Sequence, residues 1–261
     1  MDILSAEKWN AAARDYQRAY KLGQNDYNNA VIDFWEQSGM LKPGMRVLDI
    51  GCGVGKYGAS LARRGYDVTL TDISSQMLRH AEKNMAEFTT PWQIYCCDFA
   101  LVKGNEDVFQ NGFDFSLSTM SPAIKDAETI RMMSRLTNGW CFISRFRDWK
   151  QPLRDTIIQK LGWEARTLFG DLEADCDSMI QAVSAAGFVP YVKTVDYDWF
   201  DLRTPEDLAD YMTSHYYDGD KDIAVRKKSI IEAARDLCNA EGFLVDAVNT
   251  KVDWIYWNAQ E

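Results

Sequence analysis

The stretch RVLDIGCGVGKYG, Arg46 to Gly58, decides how the rest of the chain is read. Val47, Leu48 and Ile50 form a short apolar run with β-branched members, the composition of a buried parallel strand. A glycine-rich turn follows at once. Gly51, Gly53 and Gly55 admit backbone angles that a Cβ resists, and they let a ligand approach the main chain closely. Tyr57, Leu61 and Ala62 then recur at helical spacing, and Gly65 supplies a stop. Strand, glycine turn and helix in this order make a nucleotide-type binding turn.

Working outward, DVTLTD (Asp67 to Asp72) reads as a second strand ending in an acid, and Ser74 can cap the helix that carries Met77, Leu78 and Ala81. WQIYCCD (Trp92 to Asp98) is a third strand with another terminal acid. FDFSLSTM (Phe113 to Met120) is a fourth, and GWCFISRF (Gly139 to Phe146) a fifth, with a helix from Ala127 to Leu136 between them. Strands alternating with helices imply parallel pairing through right-handed crossovers. Upstream, Ala6 to Gly39 has helical stripes marked by Trp9, Ala12, Ala13, Tyr16 and Tyr20, and by Val31, Phe34 and Trp35.

Downstream, Asp148 to Gly170 reads as irregular and Asp171 to Ala186 as a helix. A sixth strand surrounds Pro190 to Val195, and helices cover Pro205 to His215 and Ile223 to Asn239. Gly242 to Trp257 has strand composition and can divide into two short strands. The expected fold class is α/β: a Rossmann-like, seven-stranded, mostly parallel sheet with helices on both faces, an N-terminal helical cap and a C-terminal helical insertion. The expected organisation is one domain over residues 1–261, with a cap at 1–44, a cofactor-binding half at 45–146 and a substrate-side half at 147–261. The insertion is placed at about 200–240 within that last half.

With 46% hydrophobic and 26% charged residues, the composition is that of a folded globular protein rather than a disordered one. The N-terminal MDILSAEKWN lacks the basic and apolar regions of a signal peptide, and no run is long and apolar enough to span a bilayer. A cytoplasmic location and no membrane partner are therefore expected. A formal net charge of -10 opposes polynucleotide binding and favours a small-molecule substrate. The six cysteines are scattered, with no Cys-x-x-Cys pair and no nearby His, so no metal site is expected. Cys96 and Cys97 are adjacent and point to opposite faces of their strand, which disfavours a mutual disulfide.

The glycines allow two registers. Gly53, Gly55 and Gly58 satisfy G-x-G-x-x-G with Asp72 at a suitable distance for a ribose, the pattern of an NAD-dependent oxidoreductase. Two features oppose that register. Counting from Gly51, directly after the strand, gives G-x-G-x-G with Asp49 just before it, and acids recur at the ends of three successive strands, at Asp49, Asp72 and Asp98. This combination resembles the class I S-adenosylmethionine-dependent methyltransferases over roughly Arg46 to Phe146.

The resemblance implies S-adenosylmethionine as cofactor and methyl transfer as activity. It also implies that Asp49, Gly51, Cys52, Gly53 and Gly55, in LDIGCGVG, enclose the methionine part. Asp72 would accept both ribose hydroxyls, with Ile73 near the adenine. Asp98 would receive the adenine amino group, Phe99 would flank the ring, and the backbone at Ser118 would pass the sulfonium region. Tyr16, in the N-terminal cap, offers an apolar ring and a hydroxyl over the glycine turn. The chemistry of the ligand agrees: a ribose diol offers two donors to a carboxylate, and without a phosphate the turn need not neutralise anionic charge. Lys56, where relatives carry small residues, is expected to point to solvent.

Methyl transfer needs proximity, orientation and a deprotonated nucleophile rather than a universal catalytic residue. Neither His80 nor His215 is assigned as a base, and the catalytic residue stays unknown; an S-adenosylmethionine-binding protein without transfer is the remaining alternative. On the substrate side, Arg145, Arg147, Lys150 and Arg154 cluster around Trp149, and aromatic residues recur at Tyr197, Trp199, Phe200, Tyr211, Tyr216 and Tyr217. Arg147, Trp149, Trp199 and Tyr216 are the substrate candidates, for a small methyl acceptor of anionic or aromatic character. The oligomeric state is not legible in the sequence.

Overall fold

The computed structural model describes residues 5–21, 26–102, 109 and 112–261. Parts of the expected N-terminal cap, residues 1–4 and 22–25, therefore lie outside the described residues. In chain order the elements are α1 (Ala6–Lys21), α2 (Asp26–Gln37), β1 (Arg46–Ile50), α3 (Lys56–Arg63), β2 (Asp67–Asp72), α4 (Ser75–Met85), β3 (Trp92–Cys96), β4 (Phe113–Thr119) and α5 (Ala127–Arg135). There follow β5 (Thr137–Lys150), α6 (Pro152–Leu161), α7 (Leu172–Ala186), β6 (Tyr191–Asp196), β7 (Trp199–Arg203), α8 (Pro205–Tyr216), α9 (Ile223–Ala234) and β8 (Leu244–Asn258). No helix among the described residues is long and apolar enough to cross a membrane.

The sheet runs β3-β2-β1-β4-β5-β8-β6, with β7 paired to β8, and is flanked by helices. Pairing is parallel from β3 through β5. This is the doubly wound order, in which the strand sequence reverses between β1 and β4, and such a reversal leaves a crevice at the strands' carboxyl ends. The eighth strand, β7, pairs antiparallel with β8, Trp199 opposite Val248 and Arg203 opposite Leu244. It occupies the first residues of the expected insertion, where WFDLR was too short to stand out from the helical pattern around it. β8 is continuous rather than divided.

The stretch expected to be irregular, Asp148 to Gly170, contains the end of β5 and the helix α6. Pro152 sits at the first helical turn, where its missing N–H costs nothing, and Gly162 ends the helix at φ 64°. These are ordinary start and stop signals; the arginines and aspartates around them hid the helix's apolar face, Ile157 and Ile158, which is buried.

The chain forms two compact units. Unit 1 comprises Met1–Arg145, Asp177–Lys193 and Asp253–Glu261; unit 2 comprises Phe146–Cys176 and Thr194–Val252. In unit 1, β1 is buried at Val47, Leu48, Asp49 and Ile50. Trp35 of α2 is fully buried, with its ring centroid 4.9 Å from both Phe115 and Phe142. Gly58 permits α3 to lie close on β2: a Cβ there would fall 2.6 Å from Leu70 Cδ2. That glycine therefore serves helix–strand packing. In unit 2, α6, α8 and α9 share a core of Ile157, Ile158, Leu208, Met212 and Ile230 with Leu244 of β8. Thr204 and Asp207 form a reciprocal capping box that fixes the start of α8.

Candidate functional site

The crevice at the carboxyl ends of β1, β2 and β4 lies in unit 1. Gly51, Gly53 and Gly55 all adopt the left-handed conformation, at φ 70°, 55° and 78°. The turn is pinned by backbone bonds: Gly51 and Cys52 N–H both donate to Thr71 C=O, at 2.8 and 2.9 Å. Gly51 is confined as well as twisted, since a Cβ would sit 1.9 Å from Ser121 Oγ. At Gly53, by contrast, a Cβ would meet nothing within 4 Å. The turn is therefore tight on its β4 side and open at Gly53.

Asp72, at the end of β2, is bound to this turn. Its Oδ2 accepts from Gly53 N–H at 2.9 Å and its Oδ1 from Ser74 N–H at 2.8 Å. Each carboxylate oxygen has two acceptor sites, so one backbone donor apiece leaves each oxygen able to accept once more. Burial raises the Asp72 pKa, and the bonds from Ser74 and Gly53 act in the opposite direction. Asp49 has a different environment. It is 1% exposed, its Oδ2 has no hydrogen-bond partner, and burial together with the charge of Asp72 pushes its pKa up to about 8. A buried carboxylate oxygen without a donor is costly unless a proton or a cationic ligand satisfies it.

Tyr16 of α1 is 49% exposed and packs edge-on against Trp9 at 6.2 Å. Burial of its hydroxyl and the nearby Asp72 charge raise its pKa. Three residues that sequence reasoning missed hold α1 here. Asn10 Oδ1 accepts from Ser74 Oγ at 2.7 Å and from Gln76 N–H at 3.1 Å. Gln17 and Asn84 exchange amide hydrogen bonds at 3.0 and 2.9 Å, and Asn84 Nδ2 also donates to Val54 C=O at 2.9 Å. Asn10, Ala13 and Gln17 share one helical face, a spacing visible in the sequence but not distinguishable there from a solvated stripe.

The other candidates divide. Asp98 Oδ1 accepts from Ala100 N–H at 3.0 Å and caps the short 3-10 turn Phe99–Leu101. The Phe99 ring is buried in a core cluster with Leu48, Ile50 and Ile143, so it does not stand open as a ring flank. Ile73 C=O receives a weak bond from Cys96 Sγ at 3.8 Å. Ser118 Oγ donates to Ile50 C=O at 2.9 Å, tying β4 to β1 with its side chain. Beyond it Met120 has φ 49°, a left-handed angle rare for a residue with a side chain. The Cys52 thiol, near Asp49 and Asp72, is pushed up by burial and by both acids, and so is no thiolate nucleophile. Lys56 departs from the expected solvent position: it is part-buried, and burial lowers its ammonium pKa.

In unit 2, Trp149, Trp199 and Tyr216 come together. Gln151 Oε1 accepts from Tyr216 Oη at 2.5 Å and from Trp149 Nε1 at 3.3 Å, and the Trp149 and Trp199 rings are 5.2 Å apart. Arg147 pairs instead with Glu173 at 3.7 Å. Gln151, almost fully buried, was not singled out in the sequence because a lone glutamine carries no periodic signal.

Residues 47–138 match the family model of the methyltransferase domain. Over 92 residues the chain is 30% identical to ribosomal RNA small subunit methyltransferase C of Haemophilus influenzae (strain PittGG), covering 32% of this chain and 28% of that protein. The chain thus spans less than a third of the length of the curated relatives it matches. The magnesium protoporphyrin IX methyltransferase of Synechocystis PCC 6803, solved with bound SAH, the demethylated form of the cofactor, shares the fold with a TM-score of 0.52. That similarity is at 20% identity, over 73% of this chain and 90% of that one. The family match and the shared fold thus agree on a methyltransferase domain over residues 47–138.

Proposed function

We propose that the protein binds S-adenosylmethionine in the crevice of unit 1 and transfers its methyl group to a small-molecule acceptor. One observation carries the cofactor assignment: Asp49 Oδ2 is buried without a donor, beside a second acid. The ligand's cationic amino group satisfies such an oxygen, whereas the pyrophosphate of a dinucleotide would be repelled by both acids. Asp72, with one acceptor site left on each oxygen, takes the two hydroxyls of the ribose.

Bound S-adenosylmethionine supplies an electrophilic methyl carbon on a sulfonium, open to in-line displacement by an acceptor's lone pair. The protein's own part is to hold and orient. Gly51, Gly53 and Gly55 bring the main chain against the methionine part, and the Ser118 backbone borders the sulfonium region. Asp98 offers an acceptor for the adenine amino group beside Ile73. Tyr16 and α1 keep water from the ribose side. Phe99 supports this wall from within the core.

Calorimetry with S-adenosylmethionine, its demethylated product and NAD tests the cofactor assignment; binding of NAD alone would sink it. The ribosomal RNA methyltransferases that share the matched segment favour a second reading, an RNA acceptor, which the net charge of -10 opposes. Incorporation of labelled methyl into metabolite fractions or into RNA decides between the two.

A further inference from the structure

Unit 2 contains a buried acid that the cofactor site does not use. Asp246 of β8 stands directly opposite Asp201 of β7, and its side chain is 1% exposed. Arg203 serves both acids: its Nε donates to Asp246 Oδ2 at 2.7 Å and its Nη2 to Asp201 Oδ2 at 2.8 Å. Asp246 Oδ1 is left with no hydrogen-bond partner. Two carboxylates share one guanidinium, so the ladder lacks one positive charge and one donor. Burial accordingly raises the Asp246 pKa in spite of Arg203.

The groups around this acid are aromatic and held in place. The Arg203 guanidinium lies 4.4 Å from the centroid of the Tyr211 ring. Tyr211 Oη accepts from Gln151 Nε2 at 3.2 Å, and Gln151 Oε1 in turn fixes Tyr216 and Trp149. Trp199 lies two residues before Asp201 on β7, hence on the same face, and packs edge-on against Trp149. Among these residues Trp149, Trp199 and Tyr211 are only partly buried. A buried junction that orients partly exposed rings is preorganised for a ligand rather than required by the apolar core, which is formed separately by Leu208, Met212 and Ile230.

We propose that this part of unit 2 binds a small molecule through a protonated primary or secondary amine, its N–H donating to Asp246 Oδ1 and its apolar body lying against Trp149, Trp199 and Tyr211. An ammonium supplies both the missing donor and the missing charge, and aromatic faces attract cations. A carboxylate or phosphate ligand would meet two acids for one arginine.

Calorimetry on the full chain with 2-phenylethylamine, its neutral counterpart 2-phenylethanol and, separately, the demethylated cofactor tests the site. The amine binds saturably and roughly tenfold or more tightly than the alcohol, the scale of a charge-assisted hydrogen bond. Asp246→Asn removes that preference and leaves affinity for the demethylated cofactor unchanged, because the amide keeps an oxygen for Arg203. Trp199→Ala weakens the amine alone, so a poorly folding Asp246→Asn chain does not leave the question open. Equal binding of alcohol and amine, no binding of the amine, or full amine affinity in Asp246→Asn overturns the inference. Binding of the demethylated cofactor without binding of the amine overturns the inference and leaves the cofactor assignment standing.

Discussion

The N–H of Gly53 donates to Asp72 Oδ2 at 2.9 Å, so the glycine turn after β1 and the acid that ends β2 are one unit of structure. A ligand that reaches Asp72 is thereby brought against the open backbone of Gly53. The same bond orients the carboxylate so that its remaining acceptor sites are held in place before any ligand arrives.

Asp72→Ala removes that acceptor and weakens binding of the demethylated cofactor by about 1.5–3 kcal/mol, the scale for hydrogen bonds to a charged group. Titration calorimetry reads the loss directly. Unchanged affinity would place the ribose elsewhere.

Asp49 makes both stability and binding depend on pH. Its folded pKa of about 8 lies above the ordinary carboxyl value, so between that ordinary value and pH 8 the folded state binds a proton that the unfolded state has released. Stability of the ligand-free protein therefore falls as pH rises through this window, by up to about 1.4 kcal/mol per unit. Asp49→Asn flattens that slope in thermal melts. Binding the cationic ligand requires the carboxylate, so below pH 8 it releases a proton; heats measured in buffers of different ionisation enthalpy detect it, and a buffer-independent heat would contradict the role given to Asp49.

Gly58→Ala separates the two glycine registers. Its new methyl strikes Leu70 inside unit 1, lowering stability by about 1–3 kcal/mol as overpacking does, while the folded fraction keeps its affinity for the demethylated cofactor. A dinucleotide site built on Gly53, Gly55 and Gly58 would lose its ligand instead.

Gln17→Ala breaks the amide exchange with Asn84 and loosens α1 from α4. Two lost hydrogen bonds correspond to about 1–2 kcal/mol of local stability. Hydrogen exchange should quicken across α1 and not across β1, and cofactor affinity should fall several-fold. Equal exchange in α1 of both proteins would show that the Asn10 bonds and the apolar contacts around Ala13 hold the helix without the Gln17–Asn84 pair.

The strand, glycine turn and acids that line the candidate crevice were legible in the chain because they depend on short-range signals. An apolar strand, glycines at left-handed positions and an acid at each strand end are local features, and parallel pairing places strand ends side by side whatever the details of the loops. Unit 2 was less legible. β7 and α6 are short, their apolar residues are few, and charged neighbours mask the pattern.

The sequence by itself determined the order of strands and helices around RVLDIGCGVGKYG and the residue types available at each strand end. The tertiary structure alone decided what those residues do with their polar atoms. It gave Asp72 two backbone donors and Asp49 Oδ2 none, assigned Gly58 to packing, turned Phe99 into the core, and joined Gln151 to Tyr211 and Tyr216 across long separations in the chain. The reason is physical: backbone propensities act over a few residues, whereas burial and the pairing of donors with acceptors are settled only when distant segments close around one another.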